Sequence, residues 1–367
     1  MKLLDKLVLK DVVPMFGVGV AMFFSFWFVA DPLIKAGKYL AQGIPFWIIV
    51  KLMELSVPPV LALTFPMGML LAVLIGFGRI SSDGETVALY AGGVPFYRIA
   101  APAAVMSVIV SLFGFWINDS VAATAQKQLV ALQKTYLQQG IGNVQSFHDE
   151  VRKDGKLLWT VQIEGVDVDT KQLKGVTIMR FTDGVPTSVV HARAALWIFG
   201  EHFTLNDVDM YNLGTFTHLH WPTLSSDHDV VKGSMEHNPS QIVLLSKDPN
   251  SFTFHELRGL IKELTATYGA NSSSVREAQL ALWSKIAFPL SSIVFAMIGS
   301  PLGLQKQRRS SKTGWGLSLV IVFAYYIIYQ TMSSVARGGA CSPALAAFIP
   351  DIIGLCVGIF LSWRASA

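Results

Sequence analysis

Two sets of three long apolar stretches, separated by a polar region at about residues 119–280, constrain this chain of 367 residues most strongly. Each stretch is about long enough to cross the ~30 Å hydrocarbon core of a bilayer as a helix. Five are uncharged, and the sixth, Ala344–Trp363, carries one acid, Asp351. The uncharged stretches are Val12–Ala30, Leu55–Gly78, Ile99–Asn118, Ile286–Gln305 and Thr313–Ala336.

The composition agrees with a membrane protein. Hydrophobic residues make up 52% of the chain and charged residues 15%, whereas about a quarter of a soluble domain is charged. The runs are continuously apolar, which favours helices over the alternating strands of a barrel. The net charge of +4 is spread over loop ends, which does not indicate nucleic-acid binding. We therefore expect an α-helical membrane protein with six transmembrane helices (3+3) and a large inserted domain.

Basic residues set the orientation, because short cytoplasmic loops carry an excess of Lys and Arg. Placing both termini in the cytoplasm puts most of the loop charges on that side and the polar region outside. The cytoplasmic basic residues are then Lys2, Lys6, Lys10, Arg79, Arg98, Lys306, Arg308, Arg309, Lys312 and Arg364. The short outer loops hold Lys35, Lys38, Lys51 and Arg337.

The polar region has three predicted parts. Residues 120–139 continue the third span as a helix, and 254–268 form an amphipathic helix. Between them, about 141–250, alternating strands with turn signals at Asp154-Gly155 and Asp183-Gly184 predict an all-β, jelly-roll-like domain. The predicted domains are therefore 1–118, 119–280 and 281–367.

The outer region offers little chemistry. His218 and His220 would share one strand face near the Asp227-His228-Asp229 sequence, a pattern that fits a metal site or solvated strand and loop residues. Solvated residues are the favoured interpretation. Nucleotide-binding loops and common hydrolase motifs are absent from the sequence, so we expect no catalytic site, metal or cofactor.

The loop between the second and third spans, Arg79 to Pro102, is more informative. A short amphipathic helix is predicted at about Gly84–Ala91, bounded by Gly92-Gly93 and Pro95. A helix this short needs packing for stability, which a cytoplasmic partner would supply. The alternative is a simple reversal loop in which Glu85 favours the helix dipole, and the sequence leaves both interpretations open.

Residues Ser56–Pro102 resemble the LptF/LptG family of lipopolysaccharide-export permeases. The resemblance rests on Val57-Pro58, Pro66-Met67, Glu85 and Gly92-Gly93, and the 3+3 architecture extends it over the whole chain. It implies a periplasmic jelly-roll domain, an inner-membrane location and a function in extracting lipopolysaccharide toward the outer membrane. It also implies a coupling helix at about 83–93, in which Glu85 matches the family's glutamate and Arg79 and Gly84 adjoin it.

The resemblance further implies the partners. These are a cytoplasmic ABC ATPase dimer, a second permease subunit (identical or related), periplasmic jelly-roll bridge proteins and lipopolysaccharide. ATP hydrolysis is then expected in the separate subunit, so this chain is expected to be a transporter subunit and not an enzyme. Lipopolysaccharide is expected to enter between span 1 of one permease and span 5 of the other.

Six residues are candidate substrate contacts, and for each of them an ordinary structural role is the alternative. Lys35 and Lys38 fall where one branch of the family keeps lysines that touch lipid phosphates, although snorkelling is commoner for lysines at helix ends. Aromatic residues of spans 1, 2 and 5 either line a cavity or pack against neighbours. These aromatic candidates are Phe24, Phe28, Phe65 and Tyr325.

Two other functions are alternatives. One is an ABC-type permease for lipoproteins or for a periplasmic partner, which usually has four spans. The other is a membrane-anchored sensor or enzyme whose outer domain does the work, which predicts a polar constellation in that domain.

Overall fold

The computed structural model describes residues 3–137, 147–153, 156–167, 172–182, 184–199, 202–228, 231, 248–304 and 311–366. The chain divides into two compact units. The helical unit comprises residues 1–129 and 249–367, and the β unit comprises residues 130–248.

Long helices dominate the described residues outside the sheet. Two π-helical turns, Val29–Leu33 and Ile117–Ala122, continue α1 into α2 and α5 into α6. The helices are α1 (Leu3–Phe28), α2 (Ile34–Ala41), α3 (Phe46–Ser82), α4 (Glu85–Ala91), α5 (Phe96–Trp116), α6 (Ala123–Leu137), α7 (Phe254–Tyr268), α8 (Ser273–Gly303), α9 (Ser311–Arg337) and α10 (Pro343–Ser366).

Six of these helical segments are long and apolar enough to cross a membrane. The first four extend well beyond the predicted apolar stretches, because charged residues such as Lys51 and Asp119 occupy helical turns past the apolar runs, and the last two match the prediction to within two residues. The segments are Leu4–Ala41, Phe46–Ser82, Phe96–Gln133, Ser273–Gly303, Gly314–Arg337 and Pro343–Ala365. The predicted class, an α-helical membrane protein with three spans on each side of an inserted β domain, is confirmed.

Helix α3 is the centre of the helical unit, and its residues from Thr64 to Phe77 are buried. Glycines allow its neighbours to approach closely. A Cβ added at Gly68 would lie 2.6 Å from Cγ2 of Val20 on α1, and one at Gly303 of α8 would lie 2.8 Å from Cβ of Phe77. Close backbone approach at small residues is how membrane helices gain packing energy without a hydrophobic driving force between them.

Helix α7 is fixed by its first turn. The side chain of Thr253 caps it, and Glu256 completes the capping box. Lys127 Nζ of α6 donates to the Glu256 carboxylate at 2.6 and 2.7 Å. The hydrogen bonds from Lys127 and from the Thr253 backbone lower the pKa of Glu256 to about 2. Asp119 accepts the Phe254 backbone N–H. Helix α7, predicted as part of the outer domain, thus packs with the membrane helices.

The described strands of the β unit form one antiparallel sheet in which consecutive strands pair in order, as in a meander. The strands are β1 (Phe147–Lys153), β2 (Lys156–Asp167), β3 (Gln172–Thr182), β4 (Val185–Phe199), β5 (His202–Asn212) and β6 (Thr217–Ser225). One face buries a cluster of apolar side chains from β2 to β6, together with Val231. Alternation along each strand explains this one-sided core.

The alternation of buried and exposed side chains shifts by one residue at an irregularity in the pairing of β4 and β5. Arg193 and Asp207 lie opposite each other between two regular pairs, Ala192 with Val208 and Ala194 with Asn206, without pairing in the ladder. Asp207 has a φ of 56°, and Gly175, beside Arg193 on β3, has a φ of 58°. The buried positions change phase here, from Ala192 to Ala195 on β4 and from Leu205 to Val208 on β5. This change explains why strict period-two reasoning places only part of the core.

Several predictions concern residues outside the described ranges. They are Lys2, the end of the helix 120–139, the Asp154-Gly155 turn, Asp183, Asp229, and the loop residues Lys306, Arg308 and Arg309. Their flanks agree with the predicted turns, because Lys153 pairs with Lys156 and Thr182 pairs with Val185. Gly184, in the second turn, has a φ of 82°, which suits a tight hairpin.

Candidate functional site

The segment joining α3 to α5 is built around short helix α4. Helix α3 ends at Ser82, and Asp83 caps it by donating its N–H to the Arg79 carbonyl at 2.9 Å. Gly84 then adopts a φ of 80°, which a residue with a Cβ adopts only with strain. Helix α4 begins at Glu85. Gly84 is therefore the junction between two helices, and the chain changes direction there.

The far end of α4 is fixed by a Schellman motif. Val94 N–H donates to the Leu89 carbonyl, and Gly93 N–H donates to the Tyr90 carbonyl, both at 3.0 Å. Gly93 has a φ of 77°, as this motif requires. Pro95 follows immediately and caps α5, which begins at Phe96. Both ends of the short helix are thus defined by backbone geometry.

Helix α4 has a packed face and an open face. Thr86 is buried, and Leu89 and Tyr90 pack against the cluster formed by α1, α3 and α5. Burial raises the pKa of the Tyr90 hydroxyl. On the open side Val87 is 63% exposed, and Tyr97, at the start of α5, is 72% exposed. Exposed apolar side chains on an anchored helix are typical of a surface for a protein partner.

The candidate coupling residues lie together at this end of the bundle. Glu85 is half-buried in the first turn of α4 and has no hydrogen bond or ion pair to any other residue that the structure describes. Gly84 directly precedes it. Arg79 lies on the last turn of α3, and its Nη1 is 3.6 Å from Oδ1 of Asp11 on α1. A carboxylate in the first helical turn is favoured by the helix dipole and stays available to a basic group of a partner.

A second ion pair brackets α4 from the other side. Arg98, on the first turn of α5, lies with its Nη2 3.0 Å from Oδ1 of Asp5 on α1. Sequence reasoning treated Arg98 only as a loop charge and missed both acids. Two acids interspersed among the N-terminal lysines were the only signal, and it did not identify their partners. The two ion pairs connect both flanks of α4 to α1.

The two candidate lysines near the far end of α1 differ. Lys35 forms an ion pair with Asp31 at 2.9 Å, and both side chains are more than half exposed. Lys38, on α2, is exposed and has no ion pair within the described part of the chain. An exposed pair of this kind contributes little stability. Lys38 is therefore the more accessible of the two for an anionic group.

The four candidate aromatic residues fall into two pairs. Phe24 and Phe28 on α1 are partly exposed and stack on each other, with ring centroids 5.2 Å apart. Phe65 is buried and stacks against Phe113 of α5. Tyr325 is buried, and its hydroxyl donates to Asp351 Oδ1 at 3.1 Å. The structure therefore places Phe65 and Tyr325 in the chain's own core and leaves the α1 pair at its surface.

His218 and His220, the two histidines considered for a metal site, share one carboxylate. Oδ1 of Asp209 on β5 lies 2.9 Å from His218 Nε2 and 3.1 Å from His220 Nδ1 on β6. These hydrogen bonds lower the pKa of Asp209. No group of three or more His, Cys, Asp or Glu side chains suited to a metal ion occurs among the residues that the structure describes. The geometry is that of a cross-strand contact between β5 and β6.

Comparison with known proteins gives two consistent findings. The sequence model of the family described as lipopolysaccharide export system permease LptF/LptG matches residues 6–364. The chain is also 25% identical, over 348 residues, to the lipopolysaccharide export system permease protein LptG of Escherichia coli strain K12. That alignment covers 92% of this chain and 90% of the relative. LptG of Escherichia coli O6:H1 strain CFT073 matches with the same figures.

Proposed function

The chain belongs to the lipopolysaccharide export system permease family LptF/LptG, and from this we propose that it is the permease subunit of an ATP-driven lipopolysaccharide exporter. In this role it extracts lipopolysaccharide from the inner membrane and passes it to a periplasmic bridge of jelly-roll proteins. Its partners are a cytoplasmic ABC ATPase dimer and a second permease subunit of the same family. The membership argues against the two alternatives, a lipoprotein permease and an anchored sensor or enzyme.

The coupling role is inferred from the way in which α4 is capped and packed. A helix of seven residues has little stability of its own, yet this one is capped by left-handed glycines and anchored by Thr86, Leu89 and Tyr90. Its open side presents apolar groups beside the half-buried Glu85. We propose that the ATPase receives this helix, with Glu85 meeting a basic or hydrogen-bond-donating group of the partner.

The ion pairs suggest how movement of α4 reaches the membrane. Because Arg79 and Arg98 flank α4 and pair with Asp11 and Asp5 of α1, displacement of the coupling segment pulls on α1. In the proposed exporter α1 borders the lateral opening through which lipopolysaccharide enters. Coupling through an ion-paired rigid helix needs no flexible intermediate.

For the substrate we propose that Lys38 and Lys35 meet phosphate groups while Phe24 and Phe28 contact acyl chains. All four lie on α1 and α2. Phe65 and Tyr325 support the helices from within. Moving an acyl chain out of a membrane costs about 0.8 kcal/mol per CH₂. A lipid with several chains therefore requires both ATP and a sheltered apolar route.

The proposed orientation follows the distribution of basic residues. Both termini and α4 lie in the cytoplasm, and the β unit lies in the periplasm. The sheet then receives the lipid on the far side of the membrane from the ATPase.

Co-purification tests the coupling proposal. Wild type and Glu85→Arg are expressed with the cognate ATPase and isolated through the permease. We expect Glu85→Arg to lose most of the captured ATPase, because it reverses the charge at the contact. Glu54→Arg is the matched control, since Glu54 is an exposed carboxylate near the other end of α3, ~40 Å away along the helix. Equal capture by Glu85→Arg and Glu54→Arg would remove Glu85 from the coupling surface.

A further inference from the structure

A cavity of about 260 Å³ lies inside the helical unit, apart from the coupling segment. Its lining residues lie on α3, on the continuous helix of α5 and α6, and on α8 and α9. Pro249 and Asn250, which precede α7, close one side. The cavity lies at the end of the bundle from which the chain continues into the β unit. None of the predicted coupling or substrate residues lines it.

The amine of Lys285 is the unusual feature of this cavity. The residue is only 6% exposed although it carries an ammonium group, and such a group is seldom buried without partners. Its Nζ donates to the Asn118 carbonyl at 3.3 Å and lies 3.7 Å from Oδ1 of Asp119. An ammonium has three N–H donors. One long hydrogen bond and one ion pair leave donor capacity on the amine of Lys285, a residue that lines the cavity.

The wall has a polar part and an apolar part. Arg337, at the end of α9, joins Lys285 on the polar part, which also contains the acid Glu277. Leu63 and Phe288 contribute apolar surface. Lys285 directly precedes the apolar run that starts at Ile286, so the polar part lies where α8 enters its most apolar segment. An amphiphile with an anionic head matches this division.

We propose that this cavity binds the phosphate headgroup of a membrane lipid, with Lys285 and Arg337 as the phosphate ligands. A phosphate accepts several charge-assisted hydrogen bonds from ammonium and guanidinium groups. The first part of the acyl chains then lies against Leu63 and Phe288. The source of the phosphate is either a resident glycerophospholipid or the lipopolysaccharide itself.

With a resident glycerophospholipid as its ligand the site goes beyond the proposed function, and with lipopolysaccharide as its ligand it rests on that function. In both cases the site lies within one chain and needs neither the ATPase nor a second permease. Binding to it is measured on the purified chain alone. A failure here therefore leaves the ATPase co-purification result untouched, and a failure of that result leaves this site untouched.

The test uses the full chain delipidated in detergent and titrated separately with phosphatidylglycerol and with lipopolysaccharide, with bound lipid counted by native mass spectrometry. We expect Lys285→Met to bind about 10-fold more weakly than wild type, the effect of losing a charge-assisted hydrogen bond. Lys51→Met is the control, since Lys51 is an exposed lysine paired with Glu54. Saturation by phosphatidylglycerol identifies a resident lipid, and saturation by lipopolysaccharide alone identifies the cargo.

A second variant protects the test against misfolding of Lys285→Met. Arg337 is exposed, so Arg337→Gln is expected to fold and to weaken binding of the same lipid. Binding of both lipids by both variants at the wild-type level would overturn the proposal. So would a wild-type chain that binds neither lipid more tightly than Lys285→Met does.

Discussion

Gly84 sets the direction of α4, and replacing it isolates this contribution. Its φ of 80° lies in the left-handed region, which costs an L-residue roughly 1–2 kcal/mol. A Cβ added there meets nothing within 4 Å, so Gly84→Ala introduces backbone strain without a steric clash. At about 1.4 kcal/mol per factor of ten, this strain lowers the population of correctly oriented α4 by about 5- to 30-fold.

The assay is the affinity of the purified permease for its ATPase, measured by titration in detergent. We expect Gly84→Ala to weaken binding by about 5- to 30-fold, and Gly84→Asn to weaken it less, because Asn tolerates the left-handed region. Gly78→Ala is the control: Gly78 is helical, and a Cβ there also meets nothing within 4 Å. Equal affinities for Gly84→Ala and Gly78→Ala would refute the reasoning that the angle at Gly84 positions α4.

Three further perturbations test other parts of the account. Asp5→Arg or Arg98→Asp, each of which reverses one charge of the Asp5–Arg98 ion pair, should lower ATP-driven lipid release. The double exchange Asp5→Arg with Arg98→Asp should restore part of that release. Release from the double variant no higher than from either single variant would argue against the link to α1. Because the pKa of Glu256 is lowered in the folded chain to about 2, its stabilising contribution is full above the unfolded value of about 4.5 and is lost as the pH falls toward 2. The thermal midpoint of Glu256→Gln should therefore be lower than that of wild type at pH 7, and the gap should narrow on acidification; a constant gap would contradict this. Gly68→Ala should destabilise the helical unit by about 1–3 kcal/mol through overpacking, which lowers its thermal midpoint in detergent. The control Gly78→Ala should not lower it. Equal thermal midpoints of Gly68→Ala and Gly78→Ala would show that the contact between α1 and α3 relaxes freely.

The six spans were predictable because apolar runs of this length have few alternatives. Their true lengths were not, since helices continue through charged turns where water or partners satisfy the side chains, as at Lys51. The short helix α4 was also predictable from its flanking glycines. Its start differs by one residue, because the predicted helix begins at about Gly84, whereas in the structure Gly84 is a left-handed junction and the helix begins at Glu85.

The sequence did not predict which faces of the membrane helices are buried. These helices are apolar all round, so no periodicity separates a buried Phe65 from a partly exposed Phe24. Contacts between residues that lie far apart in the sequence could not be predicted either. The carbonyl that receives Lys285 belongs to Asn118, 167 residues away, and Asp5 meets Arg98 only because α1 packs beside α5. A sequence pattern identifies such charges but not their partners.

The most direct test of the central claim is ATP-dependent release of lipopolysaccharide from proteoliposomes that contain the permease pair and the ATPase. Release to a soluble periplasmic acceptor is followed by photo-crosslinking over time. The account predicts release that needs ATP in the wild type and falls to the level without ATP in Glu85→Arg. Lipopolysaccharide that stays in the membrane while wild-type permease and ATPase are assembled and hydrolysing ATP would contradict it.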